Sequence, residues 1–259
     1  MYSLEHKKYL TKIRNKKIIV IIFQILIVTL FIIIWQLLAD LKIINTFLSS
    51  SPKGIIQTII NLYETNNLFN HIYITIYETF ISLFIGTITG LIISSILWWN
   101  DYIAKILDPY LTIFNSLPKV ALGPIIIIIA GANQKSIIIM ALLISVIITI
   151  INMYQSFILT DENKIKLLKS FKATKYQIYK YLILPNSFSN IISTIKINIS
   201  MSLVGVIMGE FLVSKEGIGY LIMYGSQVFN LNLVMTGIFL LLIISAILYY
   251  LVVLLERRN

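Results

Sequence analysis

Charged positions are rare along this chain and fall between long apolar runs. Ile18 to Ala39 supplies 22 consecutive residues without a charge, and about 20 apolar residues suffice to carry a helix across a ~30 Å hydrocarbon layer. Thr79 to Trp99, Ser136 to Leu159 and Leu233 to Leu255 repeat the pattern. The second run reaches back to Ile72, and Trp98 and Trp99 close it, as aromatic residues do at a membrane interface. Two further runs are interrupted. Ile106 to Gly131 contains Asp108, Pro109, Pro118, Lys119, Gly123 and Pro124, and Asn190 to Val213 contains Lys196 and Glu210. Both read as crossings, the first with a broken helix. Broken backbone at membrane depth survives only where protein or a water-filled cavity covers it, which makes the third run the candidate wall of a pathway. The pattern predicts an all-α, polytopic membrane protein with about six transmembrane helices.

Composition agrees. Of 259 residues, 58% are hydrophobic and only 12% charged, far from the roughly 25% charged residues of a soluble domain. A soluble enzyme and a disordered chain are both excluded. The net charge of +10 raises the question of a nucleic-acid partner, and the placement of the charges answers it. Six Lys or Arg precede the first span, Lys105 follows the second, six lie between the fourth and fifth, and Arg257 and Arg258 follow the sixth. These 15 share one side, against four (Lys42, Lys53, Lys135, Lys215) on the other. By the positive-inside bias both termini are cytoplasmic, and no nucleic acid is needed. No small-residue cleavage site follows Ala39, so the first span reads as retained rather than as a signal peptide. The expected organisation is a basic cytoplasmic N-terminus over residues 1–17 and a single membrane domain over 18–259.

The absence of cysteine removes disulfides and thiolate chemistry. The two histidines, His6 and His71, are too far apart in sequence to suggest a zinc site, so no metal or other cofactor is expected. No Ser-His-Asp set or carboxylate pair suggests catalysis, and there is no G-x-x-x-x-G-K-[ST] phosphate loop with which to bind ATP.

Two connections carry structure of their own. Ser49-Ser50-Ser51-Pro52 reads as a turn that starts a short outer helix reaching about Tyr63. The cytoplasmic stretch Thr160 to Asn190 reads as a helical hairpin. Thr160, Asp161 and Glu162 suit a helix start, where a side-chain oxygen and acidic charge meet the positive end of the helix dipole. Ile165, Leu168 and Phe171 then fall on one face among lysines, Ala173-Thr174 forms the turn, and a second helix runs from Tyr176 to Leu184 until Pro185 stops it. Such a hairpin can lie on anionic lipid, pack against its own spans, or dock into another protein's groove.

At this point the sequence resembles a family: the permease subunits of ATP-binding-cassette importers of the nitrate, sulfonate, taurine and thiamine-precursor type. The family's cytoplasmic Glu-Ala-Ala loop, with its later Gly and closing Leu-Pro, aligns with Lys166-Leu167-Leu168, Lys172 and Leu184-Pro185. Leu117 to Pro124 is similar to its third-span signature. Gly209-Glu210-Phe211 with Gly217-Ile218-Gly219-Tyr220-Leu221-Ile222 is similar to its fifth-span ending. The resemblance implies a homodimer in the lipid bilayer, cytoplasmic ATP-binding subunits that carry out hydrolysis, and an extracytoplasmic solute-binding protein. It implies ATPase coupling through Leu168, Phe171, Lys172, Ala173, Thr174 and Pro185, and a translocation pathway around Pro118, Lys119, Met208 and Glu210. The solute would be a nitrate-, sulfonate- or taurine-like anion, or a compound like a thiamine precursor.

Single residues keep two readings each. Lys119 is either a pathway cation or a side chain snorkelling to the interface. Glu210 either lines the outer gate or pairs with a backbone donor. Glu78 reads as an interfacial residue, with a functional role as the alternative. Gly86-Thr87-Ile88-Thr89-Gly90 with Ser94 forms a small-residue stripe for close helix packing, within the subunit or at a dimer seam. Two rival functions stand beside the importer. An ion-coupled carrier would show repeated halves, and a non-transporting scaffold would have no use for Pro118-Lys119 and Glu210 within its spans.

Overall fold

A computed structural model describes residues 4–65 and 67–257 of the chain; Arg258, one of the expected C-terminal basic pair, lies outside the described residues. Helices account for the architecture. α1 (Leu4–Asp40) leads through α2 (Thr46–Ser49) and α3 (Pro52–Glu64) to α4 (Leu68–Trp99). α5 (Asp101–Ser116) and α6 (Gly123–Ala130) follow, joined by a 3-10 turn at Lys119–Leu122, and then α7 (Gln134–Ile158). The hairpin comprises α8 (Glu162–Ser170), α9 (Lys175–Ile178) and α10 (Leu184–Asn186), and α11 (Phe188–Val213), α12 (Ile218–Gln227) and α13 (Leu231–Arg257) complete the fold.

Short polar side chains start these helices. Ser51 accepts from Gly54 N, with Pro52 in the first turn, and Asn100 accepts from Tyr102 N and Ile103 N. Asn133 accepts from Lys135 N, and Asp161 from Asn163 N. Each satisfies amide hydrogens that a helix start leaves without a partner, worth ~1 kcal/mol.

Among the described residues five helices are long and apolar enough to cross a membrane, and α5 with the Lys119–Ala130 segment forms one further pair bent by 89°. The break falls at Leu117-Pro118, inside the expected third span, while Pro109 stays within α5. α5 opens five residues earlier than the expected third span, because Asn100 caps it at Asp101. α12 is unexpected. Its ten residues are too few for a span, and Gly217, at φ 99°, supplies the left-handed turn that starts it.

α7 runs between α4 and α11. Gly86 and Gly90 of α4 lie directly against Ser145 and Thr149 of α7. On the other flank, a methyl group at Gly205 would fall 2.5 Å from Ala141 Cα, and one at Gly209 would fall 2.8 Å from Ile137 Cγ2. The small-residue stripe therefore packs within the subunit and lets backbones approach closely, as lipid-embedded helices require. α1 is tied to the rest near its far end, where Lys53 N donates to Gln36 Oε1 at 3.0 Å and Ala39 is buried. The most apolar 18 residues of α1 bury none of their number.

Candidate functional site

The hairpin is built in two unequal arms. Its turn is set by Lys172, at φ 57°, and by a capping box in which Gln177 N donates to Thr174 Oγ1 (3.3 Å) while Thr174 N donates to Gln177 Oε1 (2.7 Å). The second arm is locked to the spans. Ile178 and Ile183 are buried with Met153 and Phe157 of α7, and Ile165, Leu168 and Ala173 pack against that cluster. The Tyr179 hydroxyl lies 2.6 Å from Ser95 Oγ, and Lys175 Nζ donates to Trp99 O at 2.7 Å and sits over the Trp98 ring. Tyr179 is ringed by Trp98, Trp99 and Phe157.

Two expectations are corrected here. Pro185 does not end the helix at Leu184. The chain widens into a π turn over Tyr179–Ile183, where Leu184 N donates to Tyr179 O, and continues to Asn186. The widened turn takes up the hydrogen bond that proline cannot make. Ile165, Leu168 and Phe171 do not share a face either. α8 ends at Ser170, so Phe171 is its C-cap and swings out to 74% exposure, while Ile165 and Leu168 turn inward. Leu167, Tyr176 and Tyr181 are exposed beside Phe171 on the hairpin.

At the break in the third span, Pro118 is exposed and Lys119 half-buried. Lys119 Nζ turns back to donate to Asn115 O at 2.8 Å, placing a cation on the negative end of α5. Met208 is half-buried on α11, and Gly123 of α6 abuts Leu212 four residues further along α11.

Glu210 lies elsewhere, in a buried cluster at the opposite end from the hairpin. It is 1% exposed. Its Oε1 accepts from Thr75 Oγ1 at 2.6 Å and its Oε2 from Gly219 N at 2.5 Å. Ile218 N donates to Thr75 Oγ1 (2.8 Å), and Gly217 N to His71 Nδ1 (2.9 Å). Three successive amides at the start of α12 are thus received by side chains of α4 and α11, as a helix N-terminus requires. Of the two readings of Glu210, the structure contains the backbone pairing. Glu78, read as interfacial, is 1% exposed and enclosed by protein, with Gln134 and Glu210 as neighbours. Deeper between the same spans, Asn198 Nδ2 donates to Thr149 Oγ1 (2.6 Å) and Thr87 Oγ1 (3.2 Å).

Comparison with known proteins decides the family. The model of the binding-protein-dependent transport system inner membrane component matches residues 82–259. The chain belongs to that family. It is 27% identical over 226 residues to the Haemophilus influenzae protein named "Probable ABC transporter permease protein", covering 87% of this chain and 91% of that one. It is 26% identical over 202 residues to the formylaminopyrimidine transport permease protein ThiX of Halalkalibacterium halodurans, covering 76% and 80%. A solved structure of the MetNI methionine ABC transporter, described as inward-facing, shares the fold with a TM-score of 0.67 at 18% identity, over 75% of this chain and 97% of that one. This family member is accordingly a permease subunit of a binding-protein-dependent ABC importer.

Proposed function

We propose that two copies of this permease form the membrane channel of an ATP-driven importer in the bacterial plasma membrane, with both termini and the hairpin in the cytoplasm. Residues 1–17 form the basic cytoplasmic lead, and residues 18–259 a single permease domain. ATP binding and hydrolysis belong to separate cytoplasmic subunits, and a binding protein on the outer side delivers a small solute. That solute is of the nitrate, sulfonate, taurine or thiamine-precursor kind. The pathway wall is assigned to the broken span at Pro118 and Lys119 and to the α11 face at Met208, with Glu210 fixing the outer end of that helix.

The observation that carries this reading is the asymmetry of the hairpin. Its second arm is locked to α4 and α7, while Phe171 at the tip is 74% exposed. A protein seated on Phe171, Lys172, Ala173 and Thr174, with Leu168 and Pro185 supporting them from behind, would move the inner ends of the spans whenever it moved. Work passes this way only if the partner contacts differ between its two states. Phe171→Asp tests it: ATP-dependent uptake should be lost while the protein stays folded in the membrane, and unchanged uptake would remove the tip from the coupling path.

A further inference from the structure

Beside the buried carboxyl pair lies a cleft that the transport reading does not use. It measures about 590 Å³ and is bordered by Glu78, Asn133, Gln134, Ser214, Lys215 and Glu216. These residues belong to α4, the start of α7 and the loop after α11, at the end opposite the hairpin. α4 has 32 residues and so is about 48 Å long, well beyond a ~30 Å hydrocarbon layer. Glu78, ten residues into it, is therefore level with Gln134 at the start of α7 and near the end of α11 at Val213.

The two carboxyls of the pair are not equivalent. Both oxygens of Glu210 are engaged, by Thr75 and by Gly219 N. Glu78 Oε2 is buried and has no hydrogen-bond partner, although an unpaired polar atom in such a place is costly. The side chain that borders the cleft is thus the one with acceptor capacity to spare. A charged N–H donor matches it best, because a charge-assisted hydrogen bond would satisfy the free oxygen. Among the described residues no cluster of three or more His, Asp or Glu side chains could hold a metal ion.

We propose that this cleft is an outer-mouth site for the ammonium group of a small solute, with Glu78 as the acceptor and Lys215 at the rim left for any acidic group the same solute carries. The proposal rests on the importer reading for the role of the site, yet its binding chemistry can be measured on the permease alone.

The test is carbodiimide labelling of Glu78 in the purified full-length chain, located by peptide mass, with methylammonium and tetramethylammonium as probes. The two ions carry the same charge, and only the first has N–H donors. The expected result is a Glu78 label that is suppressed several-fold by methylammonium and not by tetramethylammonium. Glu78→Gln should lose the label. Glu78→Asp, which keeps the acid but withdraws it, should keep the label and lose the protection, with both variants eluting as the parent does. A Glu78 that stays unlabelled until the protein is denatured, or a label suppressed equally by both ions, overturns the site. Either failure leaves ATP-dependent uptake intact, whereas failure of the importer reading would abolish ATPase association without changing the labelling.

Discussion

Thr75 and Glu210, 135 residues apart in sequence, are joined by a 2.6 Å hydrogen bond between two buried side chains. The same threonine oxygen accepts the Ile218 amide, and the same glutamate accepts the Gly219 amide. Two spans thereby supply the N-terminal cap that α12 lacks in its own sequence, since its N-cap position is Gly217, which has no side chain to offer. The carboxylate in α11 is a clamp between helices before it is anything else.

Removing the clamp should be costly. Glu210→Ala leaves the Thr75 hydroxyl and the Gly219 amide without their acceptor and should lower stability by about 2–4 kcal/mol. Glu210→Gln keeps one acceptor oxygen and should lose less. Thermal unfolding of the two variants in one detergent checks the order, and equal losses would mean that the hydrogen bonds are not what matters there.

Gly217 has two reasons to be glycine. Its φ of 99° strains any other residue, and a methyl group there would run into the Glu210 carboxyl. Gly217→Ala should therefore destabilise by about 2 kcal/mol or more, against a few tenths for alanine at the exposed Lys215. Denaturation midpoints of the two variants give the comparison.

Close packing of α4 on α7 depends on Gly90, which faces Thr149 directly. Gly90→Val should push the spans apart and break the bond from Asn198 to Thr149. The expected outcome is a loss of about 1–3 kcal/mol by overpacking. Cysteines placed across the α4–α7 seam should also cross-link more slowly than in the parent.

At the hairpin, burying an aspartate where Phe171 docks should cost an interface about 2 kcal/mol or more, roughly a 30-fold loss of affinity for the ATP-binding subunit. Tyr179→Phe removes only the bond to Ser95 and should cost about 0.5–1.5 kcal/mol of stability while leaving that affinity nearly unchanged. Binding measured for both variants separates docking from support.

How far the fold could be read from the sequence varied with the length of the signal. Runs of about 20 apolar residues revealed the spans, and the prolines of the third run signalled a break without separating Pro118 from Pro109. Span length and proline chemistry are local properties, while the choice between prolines is not. The turn at Ala173-Thr174 was legible for the same local reason, whereas the Thr174–Gln177 capping box that fixes it came only with the structure. Glu78 was not legible as a buried residue. Its position one to two turns into a span suits an interface, and only the arrival of Gln134 and Glu210 from distant segments encloses it. A trace was present nonetheless: His71, Thr75, Glu78, Thr79 and Ser82 recur at helical spacing on one face of an apolar helix, and lipid does not tolerate such a face. Phe171 failed differently. Its spacing from Ile165 and Leu168 presumes an unbroken helix, and α8 ends one residue too soon.

The central claim is that motion reaches this permease from an ATP-binding partner. The most direct measurement is to solubilise native membranes gently, capture the tagged chain and identify what purifies with it. The account predicts a stoichiometric subunit carrying a phosphate-binding loop, lost on Phe171→Asp. Recovery of copies of this chain alone, folded and still active in transport, would contradict it.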